Sequence, residues 1–488
     1  MTIHTDWARL LHEECPEAFL KNIPRQKYGV GVIDGHLQLM CLHNKLPSWD
    51  AFIQYLFLKP IKTLFDAGCP RVVLCFDSYD NVPVYKNMTQ LKRAGKTAQQ
   101  VCVFDASQDL PKNIPDDPML YLMNRNFKVK VIDMVCKRIP LMIELQGNQE
   151  LIIDYKRVIQ YNRQNKMIPV SMEDLKPMGE SDVKFIRYVN LFGNALIHAI
   201  DGDYLAIALL YYAKYAEICS TNKIYIYRQL SSLKTKQSSL VNPPAKKLKL
   251  QQNEDGSGFN YQLAVKVVNT TSPYFDSDRK KIEKCWVDMQ LLFATISQCV
   301  WQSLRSVGGR PINCNTMLPF TDRDAVYSAV FLMLCAGTDF SRGFPFIGPK
   351  RIWDALPLIS ATLLQITSNE ISTTDDTSTD LSSSKQTQGQ MIMDVVITKI
   401  YKCVYGNHLS GKVQSLQNMR DQILRSTLSD STKAKLPTED QAMTTIKNVL
   451  WVMEYWQTHN DVVKTPLDGS NGFVVCPTTR KITFSDLV

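Results

Sequence analysis

Three short apolar runs in this chain each end in an aspartate. Tyr28-Gly-Val-Gly-Val-Ile33 runs into Asp34, Arg71-Val-Val-Leu-Cys-Phe76 into Asp77, and Asn194-Ala-Leu-Ile-His-Ala-Ile200 into Asp201. A mostly apolar run of this length is the pattern of a parallel strand covered on both faces. One Asp at a strand–loop junction is an ordinary turn residue. Three of them, separated by stretches with helical spacing, argue for an α/β fold whose parallel sheet has one acidic edge. In open sheets of this kind ligands bind outside the carboxyl ends of the strands.

The third run sits in the stretch 179–203, where Glu180 and Asp182 precede a helix and Asp201 and Asp203 follow a strand. Four carboxylates converging at one edge repel one another unless a counter-ion lies among them. The economical reading is a divalent metal site. Net charge sharpens it: the chain of 488 residues carries +9 overall. That balance permits a polyanionic partner. A basic chain that still gathers acids in one place has the charge layout of a metal-dependent nuclease. Its 13 cysteines include no CxxC pair. They read as reduced thiols of an intracellular protein, which excludes a zinc site and a disulfide framework. No apolar run is long enough to span a membrane, and the first residues lack a signal-peptide core.

The remaining pattern divides the chain, whose length suggests two or three units. Residues 2–20 read as an amphipathic helix carrying Trp7, Leu10, Leu11 and Cys15, and 51–66 as a second with Phe52, Tyr55, Leu56 and Leu64 on its apolar side. Lys86, Lys92, Arg93 and Lys96 follow in a helical stretch whose plain reading is a solvated face. Residues 105–126 read as loop, and Met142–Tyr155 as a hairpin turning at Gly147-Asn148 and decorating the sheet domain. A helix spans 182–192 with Gly193 as its C′ residue, a buried helix runs from Tyr204 to Ala216, and a strand covers Ile224–Tyr227. His36 and His198 read as structural. Residues 1–228 thus form the first part of a core, with an insertion at 84–175. A disordered basic linker follows at 229–258. In it, Lys246, Lys247 and Lys249 read equally as solvated linker or as a nuclear import signal. Residues 259–366 complete the core. Within them, a helix over Asp324–Ala336 leads to a Gly- and Pro-rich loop at 337–351 and a helix over Ile352–Leu364. Such a loop before a helix N-terminus offers N–H groups to phosphate. Residues 367–390 form a Ser/Thr-rich linker. A helical region, 391–488, closes the chain. It includes a helix over Gln441–Thr458 with Ile446, Leu450, Met453 and Trp456, and a strand at 473–476.

In this order the pieces resemble the flap endonuclease/XPG family of structure-specific 5′ nucleases. The opening Met1–Leu11 looks like the family's first helix, Val32-Ile-Asp34-Gly35 and Phe76-Asp77 like its first two metal-site strands, Gly179-Glu-Ser-Asp182 like its GExE-type motif, and Asp201-Gly-Asp203 like its DxD motif. Gly337-Thr-Asp339, Gly343 and Ile347-Gly-Pro-Lys350 look like its helix–two-turns–helix element, about 325–364. The likeness covers roughly 1–100, 175–215 and 325–360. Thr2 stands where the family has Gly, the gaps from Asp77 to Glu180 and from Asp203 to Asp339 are long, and no sliding-clamp box is present. These departures fit a divergent member of the kind found in large DNA viruses or unusual eukaryotes.

The resemblance implies a PIN-like, mostly parallel sheet flanked by helices, with the 84–175 insertion as an arch. It implies two Mg²⁺ (or Mn²⁺) ions held by Asp34, Asp77, Glu180, Asp182, Asp201, Asp203 and Asp339. Glu180, Asp182, Asp201 and Asp203 would be the closest ligands and the other three largely outer-shell. Metal ions so held hydrolyse phosphodiesters by activating water and stabilising the leaving oxygen. Lys86 and Arg93, seven residues apart, match the arch pair that contacts the scissile phosphate, with Lys92 competing. Gly343, Gly348, Lys350 and Arg351 would hold the duplex backbone beside a monovalent cation such as K⁺. The implied substrate is DNA near 5′ flaps, nicks or 5′ ends, in replication, repair or recombination. The alternatives are an endoribonuclease acting on mRNA and a non-catalytic scaffold on the same fold. A nuclear or intracellular location follows, with no membrane partner.

Overall fold

The computed structural model describes residues 5–41, 46–77, 104–163, 170–171, 180–215, 221–231, 282–306, 322–335, 353, 398, 416–425, 438–457, 473–475 and 482–484. The strands, in chain order, are β1 (Phe19–Leu20), β2 (Val30–Asp34), β3 (Arg71–Cys75), β4 (Glu150–Asp154), β5 (Val158–Asn162), β6 (Val170–Ser171), β7 (Ala195–His198), β8 (Ile224–Ser231) and β9 (Ile282–Asp288). They form one sheet in the order β1-β9-β8-β7-β2-β3-β4-β5-β6. The five central strands, from β8 to β4, are parallel, and antiparallel strands flank them on both sides. This is the expected α/β, PIN-like architecture: a mostly parallel sheet flanked by helices. The chain winds from β2 outward through β3 to β4. It then returns to the other side of β2 with β7. The switch point of the sheet therefore lies between β2 and β7.

Side-chain alternation along the strands builds two cores. On one face Val30, Val32, Val73, Cys75, Ile152, Ala195, Ile197, Ile224 and Ile226 pack with helices α1 (Thr5–Glu14), α7 (Ser181–Phe192), α8 (Asp203–Lys214), α9 (Met289–Ser306), α10 (Asp322–Cys335) and α12 (Glu439–Gln457). On the other, Ile33, Val72, Leu74, Leu151, Ile153 and Leu196 pack with α3 (Trp49–Ile53), α4 (Lys59–Asp66), α5 (Pro118–Leu122) and α6 (Arg125–Met142). Cover on both faces explains the unbroken apolar runs: every residue of β2 is buried. Gly193, at φ +84°, ends α7 where the chain turns into β7, a left-handed position that suits glycine. The shorter α2 (Gly35–Met40) and α11 (Leu416–Arg425) complete the helices named here.

Several expectations change. The N-terminal helix stops at Glu14, and Phe19–Leu20 becomes an edge strand paired with β9. Residues 105–126 contain α5 and the start of α6. The hairpin over Met142–Tyr155 is not formed. Met142 ends α6, Gly147 (φ +52°) turns the chain into β4, and β4 pairs parallel with β3. The turn signal was real, but it marks a helix-to-strand connection. The hairpin lies one strand later, between β4 and β5. Residues 125–162, expected within the insertion, supply two strands, β4 and β5, and a covering helix of the main sheet. β8 continues to Ser231, so the first residues of the expected linker are strand. Tyr55 and Leu450, expected on apolar faces, are 56% and 37% exposed; Leu56, Val449 and Val452 take the inward positions. The C-terminal α12 packs into the first core. Ile446, Met453 and Trp456 are buried in the same core as α8 and α10, and Lys214 Nζ donates to the Gln457 carbonyl at 2.8 Å. Strands β10 (Phe473–Val475) and β11 (Ile482–Phe484) form an antiparallel pair of their own. Among the described residues no helix is long and apolar enough to cross a membrane.

Candidate active site

The carboxyl ends of the parallel strands carry the acids that the sequence singled out. Asp34 is the last residue of β2 and also caps α2, its Oδ1 accepting the Leu37 N–H at 3.0 Å. Asp77 lies two residues beyond β3 and is fully buried. Its Oδ1 accepts both the Ser181 N–H at 2.9 Å and the Ser181 hydroxyl at 3.0 Å. That contact seats a carboxylate on the N-terminal end of α7, where the helix dipole favours negative charge. Glu180 is the residue preceding that helix and is buried without capping it. Asp182 sits in the first turn, within 3.1 Å of the Ser181 hydroxyl through its Oδ1. Asp203 starts α8 and is buried; Asp201, partly exposed, accepts the Asp203 N–H at 3.2 Å.

Two side chains tie these acids together. Ser181 bridges Asp77 and Asp182. Tyr204, buried in α8, lies against Asp34 and Asp182; burial first, and then these two negative charges, push its hydroxyl well above the ordinary range. Asp34, Asp77 and Asp182, far apart in sequence, are therefore neighbours, with Glu180 adjoining Asp182. Asp201 and Asp203 follow β7 across the switch point. Among the described residues, no three His, Cys, Asp or Glu side chains are close enough together to hold a metal ion as they stand. Asp339, Lys86, Lys92, Arg93, Gly343, Gly348, Lys350, Arg351, Lys246, Lys247 and Lys249 lie outside the described residues, as does the helix–two-turns–helix loop.

Sequence reasoning missed one buried neighbour of these acids. Asp154 ends β4 as Asp34 ends β2, and Glu150-Leu-Ile-Ile-Asp154 shows the same apolar-run-to-Asp signature; the mistaken hairpin concealed it. Asp154 is fully buried and takes up the local cations. Its Oδ1 accepts Lys184 Nζ at 2.7 Å and its Oδ2 accepts the Tyr188 hydroxyl at 2.7 Å, with Arg187 4.0 Å away. Burial, and then Asp154, raise the Tyr188 hydroxyl well above its usual value. His36, read from the sequence as structural, adjoins Asp77. Its Nδ1 lies 3.6 Å from Asp77 Oδ2, and Lys128 Nζ of α6 approaches its Nε2 at 3.5 Å. His198 stays structural: its ring stacks on Tyr227 at 4.7 Å, its Nδ1 faces Gln38 Nε2 at 3.1 Å, and burial lowers it to about 4.

Among the described residues, buried acids outnumber buried bases. Among these described residues six acids are buried (Asp34, Asp77, Asp154, Glu180, Asp182 and Asp203) and three bases, Lys184, Arg187 and Arg228. Arg228 donates to the Ile200 carbonyl just before Asp201. Lys184 also donates to the Phe76 and Asp154 carbonyls, at 2.7 and 3.2 Å, so its three protons are engaged around β3 and β4. Fold and edge together define an α/β protein with an acid-rich, buried site at the switch point of a parallel sheet.

No family model matches the sequence, and no curated protein matches it. Among solved structures, the chain is similar to the catalytic core of Rad2 in complex with a DNA substrate. The identity is 12% over 94% of this chain and 97% of that one, with a TM-score of 0.32. A likeness of this size is distant and decides nothing about activity.

Proposed function

We propose that this chain is a divalent-metal-dependent phosphodiesterase acting on DNA near 5′ flaps, nicks or 5′ ends. The observation that carries the reading is the gathering of buried carboxylates at the carboxyl edge of the sheet, where they outnumber the buried bases among the described residues. Burying unbalanced charge costs several kcal/mol per ion unless something of opposite sign joins it. The donors are oxygens, which suits Mg²⁺; that ion keeps several waters and needs only one or two carboxylates directly. A set too open to cage a bare ion fits such a hydrated one. Asp34, Asp77, Glu180, Asp182, Asp201 and Asp203 would hold it, and Asp339 would join them. The bound ions would lower the pKa of a water and stabilise the leaving oxygen of a phosphodiester.

The chain's own residues do the rest. Ser181 fixes the Asp77 and Asp182 carboxylates, Tyr204 packs against Asp34 and Asp182, and α7 and α8 aim their N-termini at the edge where an anionic backbone would lie. Such contacts position nucleic acid without reading its sequence. The experiment compares 5′-flap, nicked and single-stranded DNA, and an RNA of matching sequence, with purified chain and Mg²⁺. Cleavage of the DNA substrates, abolished by chelator, supports the proposal. Asp201→Asn should lower cleavage by roughly 10²-fold or more, as loss of a group stabilising transition-state charge does, and should keep DNA binding. A variant as active as wild type rejects the site; cleavage of RNA alone rejects the substrate; cleavage of nothing rejects the activity.

A further inference from the structure

The N-terminal segment is held along one seam against the 282–306 unit. Phe19 and Leu20 pair with Val287 and Trp286 at the sheet edge. Two residues before Phe19, the pairing passes to side chains: Thr295 Oγ1 of α9 donates to Glu17 Oε1 at 2.8 Å. One turn further along the same face of α9 is Cys299, and two residues before Glu17 is Cys15, so the Thr295–Glu17 contact brings the two thiols within reach of each other. From the strand pair 19 with 287 to the side chains 17 with 295 and 15 with 299, one segment steps back as the other steps forward, as two segments running in opposite directions must. The thiol contact is thus the last rung of a continuous interface, and Cys15 sits at its fixed end, its N–H bonded to the Leu11 carbonyl at 2.8 Å.

We propose that Cys15 and Cys299 are an oxidisable dithiol pair, converted by a peroxide-class oxidant into a disulfide that staples the N-terminal segment to α9. The two thiols differ in the way the chemistry requires. Cys299 is partly exposed and is lowered to about 7 because Cys15 hydrogen-bonds to it; Cys15 is buried and pushed up by the same contact and by burial. A partly exposed thiolate is the attacking group, and its buried neighbour the resolving one. The Cys299 thiolate attacks the peroxide, forming an S–O bond and breaking O–O; the hydroxide released takes a proton to become water. The Cys15 sulfur then attacks that sulfur, forming S–S and breaking S–O. The second hydroxide leaves as water with the Cys15 proton. Two electrons pass from the two sulfurs to one peroxide, which ends as two waters. Burial raises Cys41 and Cys69, each to about 12, and raises Cys75, Cys136 and Cys335 as well, so these thiols stay protonated and inert.

The test treats the full chain with hydrogen peroxide, blocks free thiols by alkylation, and maps peptides by mass spectrometry without reductant. The expected result is a Cys15–Cys299 linked peptide pair that dithiothreitol reverses. The thermal midpoint should rise by a few degrees on oxidation, because the bond closes a long loop of the unfolded chain. Cys299→Ser, at a partly exposed position, should fold as wild type and show neither change. Three results overturn the proposal: Cys299 over-oxidised while Cys15 stays alkylatable, either cysteine linked elsewhere, or a midpoint rise that persists in Cys299→Ser.

Discussion

Lys184→Met replaces a buried ammonium by an apolar chain of similar length, and its cost follows from the groups left behind. Lys184 Nζ donates to Asp154 Oδ1 at 2.7 Å and to the Phe76 and Asp154 carbonyls at 2.7 and 3.2 Å, with both charged side chains fully buried. At that ion-pair distance the gross attraction is about 6 kcal/mol for an effective dielectric of about 20. Desolvation of two ions, at several kcal/mol each, offsets most of it. Removing one partner has no such offset: Asp154 keeps its buried charge, and two carbonyls lose a donor. The expected loss is about 3–5 kcal/mol. Arg187, 4.0 Å from the other Asp154 oxygen, can swing closer and hold the loss toward the lower figure. Asp154→Asn in the same chain removes the orphaned charge and keeps an acceptor for Tyr188. The double variant should therefore recover about 2 kcal/mol of the single variant's loss. Urea denaturation followed by tryptophan fluorescence gives both numbers from the shift in midpoint. A single variant costing less than about 1 kcal/mol, or a double variant worse than the sum of the singles, refutes the reasoning.

Three further outcomes are expected. Gly29→Ala should cost about 3 kcal/mol or more, since its Cβ would stand 1.7 Å from the Phe192 carbonyl oxygen, main chain that cannot step aside; a thermal midpoint near wild type rejects that packing. His198, lowered from 6.5 to about 4, is neutral in the fold but takes a proton in the unfolded chain below 6.5. Its contribution is therefore complete above pH 6.5 and is lost as pH falls toward 4. It amounts to at most about 3 kcal/mol, less what its partly open edge lets solvent screen. His198→Gln should flatten the stability profile across that window, and an unchanged slope argues against it. Ser181→Ala removes the hydroxyl that bridges Asp77 and Asp182 while keeping the main-chain donor. It should weaken Mn²⁺ binding measured by calorimetry severalfold, with the midpoint changed by no more than the roughly 1 kcal/mol of one hydrogen bond. Equal affinity would remove Ser181 from the site.

The sheet was legible because burial on both faces leaves a simple trace: β2, β3 and β7 appear as apolar runs ending in Asp. What hid Asp154 was a competing local signal. Gly147-Asn148 is a sound turn, but a turn does not say which elements it joins. Helix α7 misled in another way. Val183, Phe185, Ile186 and Val189 form an apolar face, yet Lys184, Arg187 and Tyr188 are buried as well. Polar residues at helical spacing read as a solvated face unless their partner is known, and the partner, Asp154, lies thirty positions away on a different strand. Tyr55 and Leu450 erred for the opposite reason: apolar residues sit outside more often than polar ones sit inside. Six acids of the candidate site were legible as strand-end and helix-start residues. Their linkage through Ser181 and Tyr204 was not, because it depends on tertiary contacts that spacing does not encode.

Strands β8 and β9 meet with Ser231 opposite Ile282. The chain thus departs and returns at one rung of the ladder. Each doubling of such an excursion costs only about 0.6 kcal/mol in closure entropy. A lineage could lengthen, shorten or exchange residues 232–281, with whatever address their lysines carry, and leave the acid-lined edge where it stands.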